Sequence, residues 1–255
     1  KTLGSWRKKI VFVADDGNTV DDYSSLHQYQ ADQLALAIET SNPAFDARRL
    51  FLGSYKKKTL PASETVPDLV DDLKRAFDLG ALIINFTGHG SEKVWTDERI
   101  LDEKFIRDLR NEQYPFLVTA TCDFGRQDDP LTISSAEISL TLDVGGSIGL
   151  VTTTRSVNAA TNFGLNAAFY AALFERNEDG YATIGEIFRK TKNNSVSGVN
   201  NRNFSLIGDP SMTLALPEYS VDVTYVKTAS GSDTLKALSP VTVRGRVLNP
   251  SGSLA

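Results

Sequence analysis

Short apolar runs alternate along the chain with longer segments whose apolar residues recur at helical spacing. The first run, residues 10–14, is rich in β-branched residues and lies between charged residues, which predicts a buried strand. Further strands are predicted at residues 46–52, 81–86, 115–121 and 147–152. Helices are predicted at residues 27–39, from Pro67 to a stop at Gly80, and at 102–110, 134–142, 158–174 and 183–192. This alternation predicts an α/β fold with a mostly parallel sheet flanked by helices.

The pattern changes after Pro217. Residues 221–226 and 241–247 alternate apolar with polar positions, and no helix is predicted between them. They are typical of the first strands of an immunoglobulin-like β-sandwich. We therefore expect an α/β domain over residues 1–217 and the start of a β domain over residues 218–255. Because the sequence stops inside a predicted hairpin, we also expect the chain to be part of a longer protein.

Composition and charge exclude some classes of partner. The chain has 255 residues, a net charge of −5 and a pI near 5.2. Nucleic acid is not an expected partner, because phosphate binding needs a basic face. No apolar stretch approaches the roughly 20 residues that span a bilayer. The single cysteine excludes an internal disulfide and leaves one thiol free to react.

A histidine and this cysteine each follow a predicted strand directly. Gly88-His89-Gly90 comes after the strand of residues 81–86, and Cys122 comes after that of residues 115–121. Proteins with α/β folds place binding and catalytic groups beyond the carboxyl ends of their parallel strands. The spacing leaves room for one helix and one return strand. We therefore expect the two loops on adjacent strands, at the same edge of the sheet.

The residue types suit nucleophilic catalysis. An imidazole that takes the proton of Cys122 would activate the thiol, and His89 is placed to do so. The backbone N–H groups of Gly90 and Cys122 could bind the oxyanion that an attack creates. Each residue alone also has a structural interpretation, since a cysteine at a strand end is most often a small buried apolar residue and a loop histidine is usually solvated. Their joint placement favours the catalytic interpretation.

Other polar residues flank the same predicted edge. Asp15-Asp16-Gly17 ends the first strand, and a carboxylate there could orient the imidazole, although Asp-Gly is also a common turn pair. Thr154 and Arg155 follow another strand and could form a specificity wall. Residues 123–130 could line a substrate cleft or hold a calcium ion, but a solvated loop is the favoured interpretation.

Two further features have simple interpretations. His27 opens a predicted helix and is interpreted as a structural or surface residue. The lysines at 56–58 are interpreted as a solvated loop.

Three motifs together resemble the gingipain family of cysteine peptidases, which share a caspase-like fold. They are NFTGHGSE at residues 85–92, TATC at residues 119–122 and IGDPS at residues 207–211. The similarity runs from about residue 8 to about residue 217 and keeps the motif order. Residues 13–17, 121–124 and 152–155 are closer to the PorU-like branch, the sortases of the type IX secretion system of Bacteroidetes.

The resemblance implies a role for each matching residue. Cys122 is the expected nucleophile, His89 the base, and Gly90 and Cys122 the backbone donors. Asp16 aligns with the carboxylate that orients the histidine. The aspartate on the floor of the arginine pocket falls near Ser24, so Ser24 is an expected substrate-binding residue and a preference for arginine is not expected. No cofactor is expected, although structural calcium occurs in the family.

For a PorU-like protein the resemblance implies an endopeptidase or transpeptidase at the cell surface. It would cut the C-terminal secretion signal from secreted cargo and pass the acyl group to water or to an amine of lipopolysaccharide. Outer-membrane proteins of the secretion complex would be its partners. Two alternatives stay open: a non-catalytic module with a peptidase fold, and a hydrolase that acts on another acyl substrate such as a thioester.

Overall fold

The structure is a computed structural model that describes residues 3–17, 26–61, 63–177, 180–228, 231 and 234–255. Its strands are β1 (Lys9–Ala14), β2 (Asp46–Phe51), β3 (Lys58–Leu60), β4 (Ser63–Thr65), β5 (Ile83–Thr87), β6 (Phe116–Ala120), β7 (Gly149–Thr153), β8 (Arg176–Asn177), β9 (Gly180–Tyr181), β10 (Phe204–Ile207), β11 (Ser220–Thr228) and β12 (Val241–Leu248). Its α-helices are α1 (Leu26–Ser41), α2 (Pro67–Asp78), α3 (Glu103–Arg107), α4 (Ser135–Thr141), α5 (Ala159–Phe174), α6 (Ile184–Asn194) and α7 (Val199–Arg202).

Six strands form one mixed sheet in the order β10-β7-β6-β5-β1-β2. The pairs among β1, β2, β5, β6 and β7 are all parallel, and only β10 runs antiparallel, against β7. This confirms the predicted α/β fold with a mostly parallel sheet flanked by helices. Because parallel strands point the same way, their carboxyl ends meet at one edge of the sheet.

One face of the sheet is covered by α2, α3 and α4. Val11 and Val13 of β1 pack in the same apolar cluster as Leu73 and Phe77 of α2. Proline at the first position of α2 suits its fixed φ and missing N–H. The helix ends before Gly80, whose φ of +79° favours glycine, so the predicted stop is confirmed.

The opposite face is covered by α1 and α5. The ring of Phe12 in β1 lies 5.5 Å from the ring of Tyr170 in α5, measured between centroids. The side-chain N–H of Asn85 in β5 donates a hydrogen bond of 3.2 Å to the side-chain oxygen of Asn166 in α5. This face therefore buries polar side chains among the apolar ones.

All helices and strands predicted before residue 193 are present, with ends that shift by a few residues. The structure adds the small hairpin of β3 and β4, the short helix α7 and the edge strand β10. Each of these has at most four residues and no long apolar run. They therefore lack the periodic signal that identified the longer elements.

The chain divides into two compact units. The first comprises residues 1–177 and 181–215, and the second residues 178–180 and 216–255. In the second unit β11 and β12 form an antiparallel pair with a bulge between Val223 and Tyr225. Both strands predicted after Pro217 are thus present. Their continuation into an immunoglobulin-like sandwich, and the domain boundary after residue 217, stay predictions.

None of the helices that the structure describes has the length and apolar character needed to cross a lipid bilayer.

Candidate active site

The predicted histidine and cysteine loops follow adjacent parallel strands. Thr87, at the end of β5, lies opposite Ala14 of β1 and Ala120 of β6. Asp15, Gly88 and Thr121 come next on the three strands, so His89 and Cys122 leave the sheet at the same edge. This geometry confirms the predicted placement of the two loops.

His89 and Cys122 line one cavity of about 290 Å³. His89 is exposed and Cys122 is half-buried, so both residues can be reached from solvent. The Cys122 Sγ atom lies 3.8 Å from the carbonyl oxygen of Val157 on the opposite wall. The remaining lining residues come from the start of α1, from Gly88 and from the start of α5: Leu26, His27, Asn158, Ala159, Ala160 and Asn162.

A tight turn fixes the main chain around His89. The Thr96 N–H donates to the His89 carbonyl oxygen at 3.0 Å. The neighbouring Trp95 is fully buried and stacks on Phe86 of β5, with 4.4 Å between ring centroids. Because an aromatic pair of this size contributes substantial apolar burial, it anchors the loop that carries His89 to the sheet.

Asp15 holds the same loop from the side of β1. Its carboxylate accepts hydrogen bonds from the His89 N–H at 2.9 Å and from the Gly17 N–H at 3.3 Å. Burial raises the pKa of Asp15 above its ordinary value, while these two N–H groups act in the opposite direction. A Cβ atom on Gly88 would lie 2.3 Å from the Asp15 Cβ, so this close approach requires glycine.

The two predicted oxyanion donors are unengaged in the described part of the chain. Neither the Gly90 N–H nor the Cys122 N–H donates a hydrogen bond there, although Gly90 bridges to Trp95 through its neighbours. A Cβ on Gly90 would lie 2.5 Å from the Thr121 hydroxyl oxygen, which shows how tightly the two loops approach. Free N–H groups beside a thiol are what an oxyanion site requires.

The structure pairs Asp16 with a lysine. The Lys57 ammonium lies 3.1 Å from Asp16 Oδ2 and 2.6 Å from Glu98 Oε1. Burial lowers the pKa of Lys57, but its hydrogen bonds to Glu98 and Asp16 outweigh this, and the net pKa lies above the ordinary value. The interpretation of the 56–58 lysines as a simply solvated loop was therefore wrong for Lys57. A role for Asp16 in orienting the imidazole stays a prediction.

The same carboxylates are a poor fit for calcium. Oxygen atoms of Asp15, Asp16 and Glu98 lie within 4.8 Å of one another. The Lys57 ammonium already contacts two of the three, however, and supplies the charge that a cation would bring. In the loop of residues 123–130, Asp128 and Asp129 pair with arginines. Structural calcium stays a prediction.

Thr154 and Arg155 lie on the same edge but turn away from the cavity. The Thr154 hydroxyl donates to the Asn203 carbonyl at 3.2 Å, and Arg155 makes two hydrogen bonds to Asp128 at 2.9 and 2.6 Å. Of the described residues, the wall beyond β7 is formed by residues 157–160 and 162 instead. Substrate binding by Thr154 and Arg155 stays a prediction, and Ser24 lies outside the described residues.

The loop that carries Cys122 has one left-handed residue. Asp123 has a φ of +57°, a conformation that costs energy for any residue except glycine and is tolerated best by asparagine and aspartate. Its carboxylate accepts a hydrogen bond of 3.2 Å from the Ser156 hydroxyl, which ties this turn to the loop after β7. The turn fixes the direction in which the chain leaves Cys122.

His27 is the site residue that the sequence interpretation missed. It is not a surface residue: only 4% of it is exposed, and it lines the cavity beside His89. The two imidazole rings have centroids 5.2 Å apart and planes at 88°. The one sequence feature that could have indicated a place for His27 in the site is its position at the start of a helix whose apolar face packs on the sheet.

Solved structures with the same fold include a cysteine proteinase. The crystal structure of the Arg-specific cysteine proteinase gingipain R (RgpB) is 18% identical, with a TM-score of 0.64, and the match covers 88% of this chain and 52% of that chain. The complex of Porphyromonas gingivalis RgpB pro- and mature domains is 17% identical with a TM-score of 0.64, covering 86% and 52%. A structure described as a protease is 15% identical with a TM-score of 0.61, covering 97% and 60%.

This chain therefore spans about half the length of the RgpB chains it matches. No curated protein has a significant sequence match to it.

The mostly parallel sheet with helices on both faces is the caspase-like fold of the gingipains. The model of Peptidase family C25 matches residues 1–215, which include every predicted catalytic residue. The chain belongs to Peptidase family C25.

Proposed function

We propose that this chain carries the catalytic site of a cysteine peptidase. Cys122 is the nucleophile and His89 is the general base and acid. The observation that carries the proposal is that both side chains line one solvent-accessible cavity beyond adjacent strands. Membership of Peptidase family C25 supports the same assignment.

In the first half of the reaction, His89 takes the thiol proton and the Cys122 sulfur attacks the carbonyl carbon of a peptide bond. The oxyanion that forms accepts hydrogen bonds from the free N–H groups of Gly90 and Cys122. The carbon–nitrogen bond then breaks, and the His89 imidazolium gives its proton to the leaving amine. The product is a thioester between the substrate and Cys122.

In the second half, water or an amine attacks the thioester. His89 takes a proton from this second nucleophile, the carbon–sulfur bond breaks, and the His89 imidazolium returns the proton to the Cys122 sulfur to restore the thiol. The same acyl-enzyme therefore serves hydrolysis and transpeptidation. The choice depends on which nucleophile reaches the cavity.

The lining of the cavity supports a neutral side chain before the scissile bond. Among the described lining residues there is no carboxylate, and the polar groups are the two histidines, Cys122, Asn158 and Asn162. None of the described lining residues would supply a counter-charge to an arginine or lysine bound there. A neutral residue is thus the proposed preference, in contrast to the structure described as an Arg-specific proteinase.

We base the proposed physiological reaction on the PorU-like motifs of the sequence. The enzyme would cut C-terminal secretion signals from cargo of a type IX secretion system at the cell surface, next to outer-membrane partners of the secretion complex. The acyl group would pass to water or to an amine of lipopolysaccharide. The motifs at residues 13–17, 121–124 and 152–155 support this finer assignment.

The test is digestion of a peptide library, read by mass spectrometry, with the wild type and with Cys122→Ala. Ser41→Ala, which changes an exposed residue outside the cavity, is the matched control. We expect Cys122→Ala to lose at least about 10³-fold in kcat/KM, because a nucleophile cannot be bypassed. Ser41→Ala should retain the wild-type rate, and cuts should follow neutral residues.

The full-length protein separates the finer alternatives. Cargo that is still processed by Cys122→Ala would show that the peptidase fold acts as a non-catalytic module. Faster turnover of simple thioesters than of peptides would favour a hydrolase that acts on another acyl substrate. Cuts after arginine alone would contradict the proposed neutral preference.

A further inference from the structure

Within the described residues, no side chain hydrogen-bonds to a ring nitrogen of His89, the proposed base. Asp15 bonds to the His89 main-chain N–H, and the Asp16 carboxylate pairs with Lys57. In other catalytic sites a hydrogen-bonded partner holds the imidazole in its working orientation. Packing against a neighbouring ring can restrict an imidazole in a similar way.

The contact that the ring does make is with the second imidazole. The His27 ring stands edge-to-face with the His89 ring, at an interplanar angle of 88° and a centroid distance of 5.2 Å. This is the separation and geometry preferred by aromatic pairs. Since His89 is otherwise exposed, a fixed ring on one side restricts rotation of its side chain.

His27 is itself held firmly. It occupies the second position of α1 and is 4% exposed, and its Nδ1 atom is buried with no hydrogen-bond partner among the described residues. Burial, with a smaller contribution from His89, lowers the pKa of His27 to about 4. The ring is therefore neutral at neutral pH. A neutral neighbour does not repel the positive charge that His89 acquires when it takes the thiol proton.

We propose that His27 is a positioning residue that fixes the plane of the His89 imidazole by edge-to-face packing. This inference rests on the proposed function. It assigns to a neutral ring the orienting role that a carboxylate was expected to fill, through packing on His89 and not through a hydrogen bond.

The described titratable groups around the pair lie on the loops that follow β1, β5 and β6. Asp15 follows β1 and bonds to the His89 main chain, Cys122 follows β6, and Glu98 influences Asp15. The cavity-lining residues of α5 carry no charge. A change in the pH profile on substitution of His27 would therefore report on the His89–Cys122 pair.

The first test uses the wild-type chain. It contains two histidines, so its imidazole NMR signals belong to His27 and His89 alone, and the His27→Phe variant assigns them. We expect a nuclear Overhauser effect between the two rings and His27 signals that stay in the neutral form from pH 5 to pH 8. Absence of contact between the rings would overturn the proposal, whether or not any variant folds.

The second test compares two substitutions of similar volume. His27→Phe keeps a planar ring against His89, whereas His27→Leu removes it. We expect His27→Leu to lower kcat and the rate of Cys122 alkylation at pH 7 by about tenfold with KM unchanged, and His27→Phe to stay within about threefold of the wild type. Rates are expressed per folded molecule, because the exposed thiol of an unfolded chain reacts with the pH dependence of an ordinary thiol.

The outcomes separate this inference from the proposed function. If the wild type cleaves peptides and His27→Leu matches it in kcat and in alkylation profile, the positioning role is wrong and the peptidase assignment stands. If the wild type cleaves no peptide and Cys122 alkylates with the pH dependence of an ordinary thiol, both are wrong.

Discussion

The helices on the two faces of the central sheet differ in whether their buried polar groups have partners. The face under α2, α3 and α4 is covered mainly by large apolar residues, and the buried hydroxyls of Ser135 and Ser139 in α4 are hydrogen-bonded. The apolar residues include Leu69, Leu73, Phe77, Ile106 and Ile138. The face under α1 and α5 also buries polar residues: His27, Gln30, Asn162 and Asn166. Each of these four has a buried side-chain atom with no hydrogen-bond partner in the described structure.

This difference shows which face of the sheet contains the destabilising buried polar groups. An unpartnered buried polar group costs about 1–3 kcal/mol, so polar residues on one face lower its contribution to stability. The cavity is lined by the starts of α1 and α5, which belong to the polar face. We infer that the apolar face stabilises the sheet and that the polar face shapes the site.

The largest expected effect is on the apolar face. Leu73 is fully buried in α2, and Leu73→Ala should lower the free energy of unfolding by about 2–5 kcal/mol through lost burial and a cavity. Because α2 contributes no residue to the site cavity, the pH profile of Cys122 alkylation in the folded protein should not change. Urea unfolding and alkylation kinetics measure the two quantities. A changed alkylation profile would contradict the claim that the face under α2 affects stability without affecting the site.

A smaller effect concerns pH and the polar face. The pKa of His27 is lowered to about 4, below its ordinary 6.5, so the unfolded chain binds its proton first as pH falls. The resulting stability is fully present above about pH 6.5 and is lost as pH falls to about 4, by up to roughly 3 kcal/mol. His27→Phe should flatten this part of the stability curve in urea unfolding at several pH values. An unchanged slope in the variant would show that His27 titrates normally.

The smallest expected effect lies deeper under α5. Asn166→Ala removes the acceptor of the Asn85 hydrogen bond and leaves the Asn85 side-chain N–H buried without that acceptor. We expect a loss of about 1–3 kcal/mol in the free energy of unfolding. The double variant Asn85→Ala with Asn166→Ala is the control, and its loss should be smaller than the sum of the single losses. Additive losses would mean that the two amides do not interact.

The sequence was sufficient for the sheet and for the position of the two reactive side chains. The strands before His89 and Cys122 are continuous apolar runs, and parallel strands bring their ends to one edge whatever the details of packing. The close approach of the two loops could also be inferred from Gly88 and Gly90, because such an approach favours glycine.

The remaining contacts depend on tertiary structure. Lys57 meets Asp16 and Glu98, both 41 residues away in the sequence, and nothing in the local pattern around a lysine run indicates that pairing. His27 meets His89 because α1 packs beside β5, which the periodicity of α1 does not specify. The strand β10 is too short to be distinguished from a loop by its apolar residues.

The central claim is that His89 activates Cys122 across the shared cavity. Alkylation of Cys122 by iodoacetamide between pH 5 and pH 9, in the wild type and in His89→Ala, tests it most directly, because the chain has no other thiol. We predict rapid alkylation of the wild type near pH 6–7 and a slow reaction of an ordinary thiol in His89→Ala. Identical profiles for the two proteins would contradict the account.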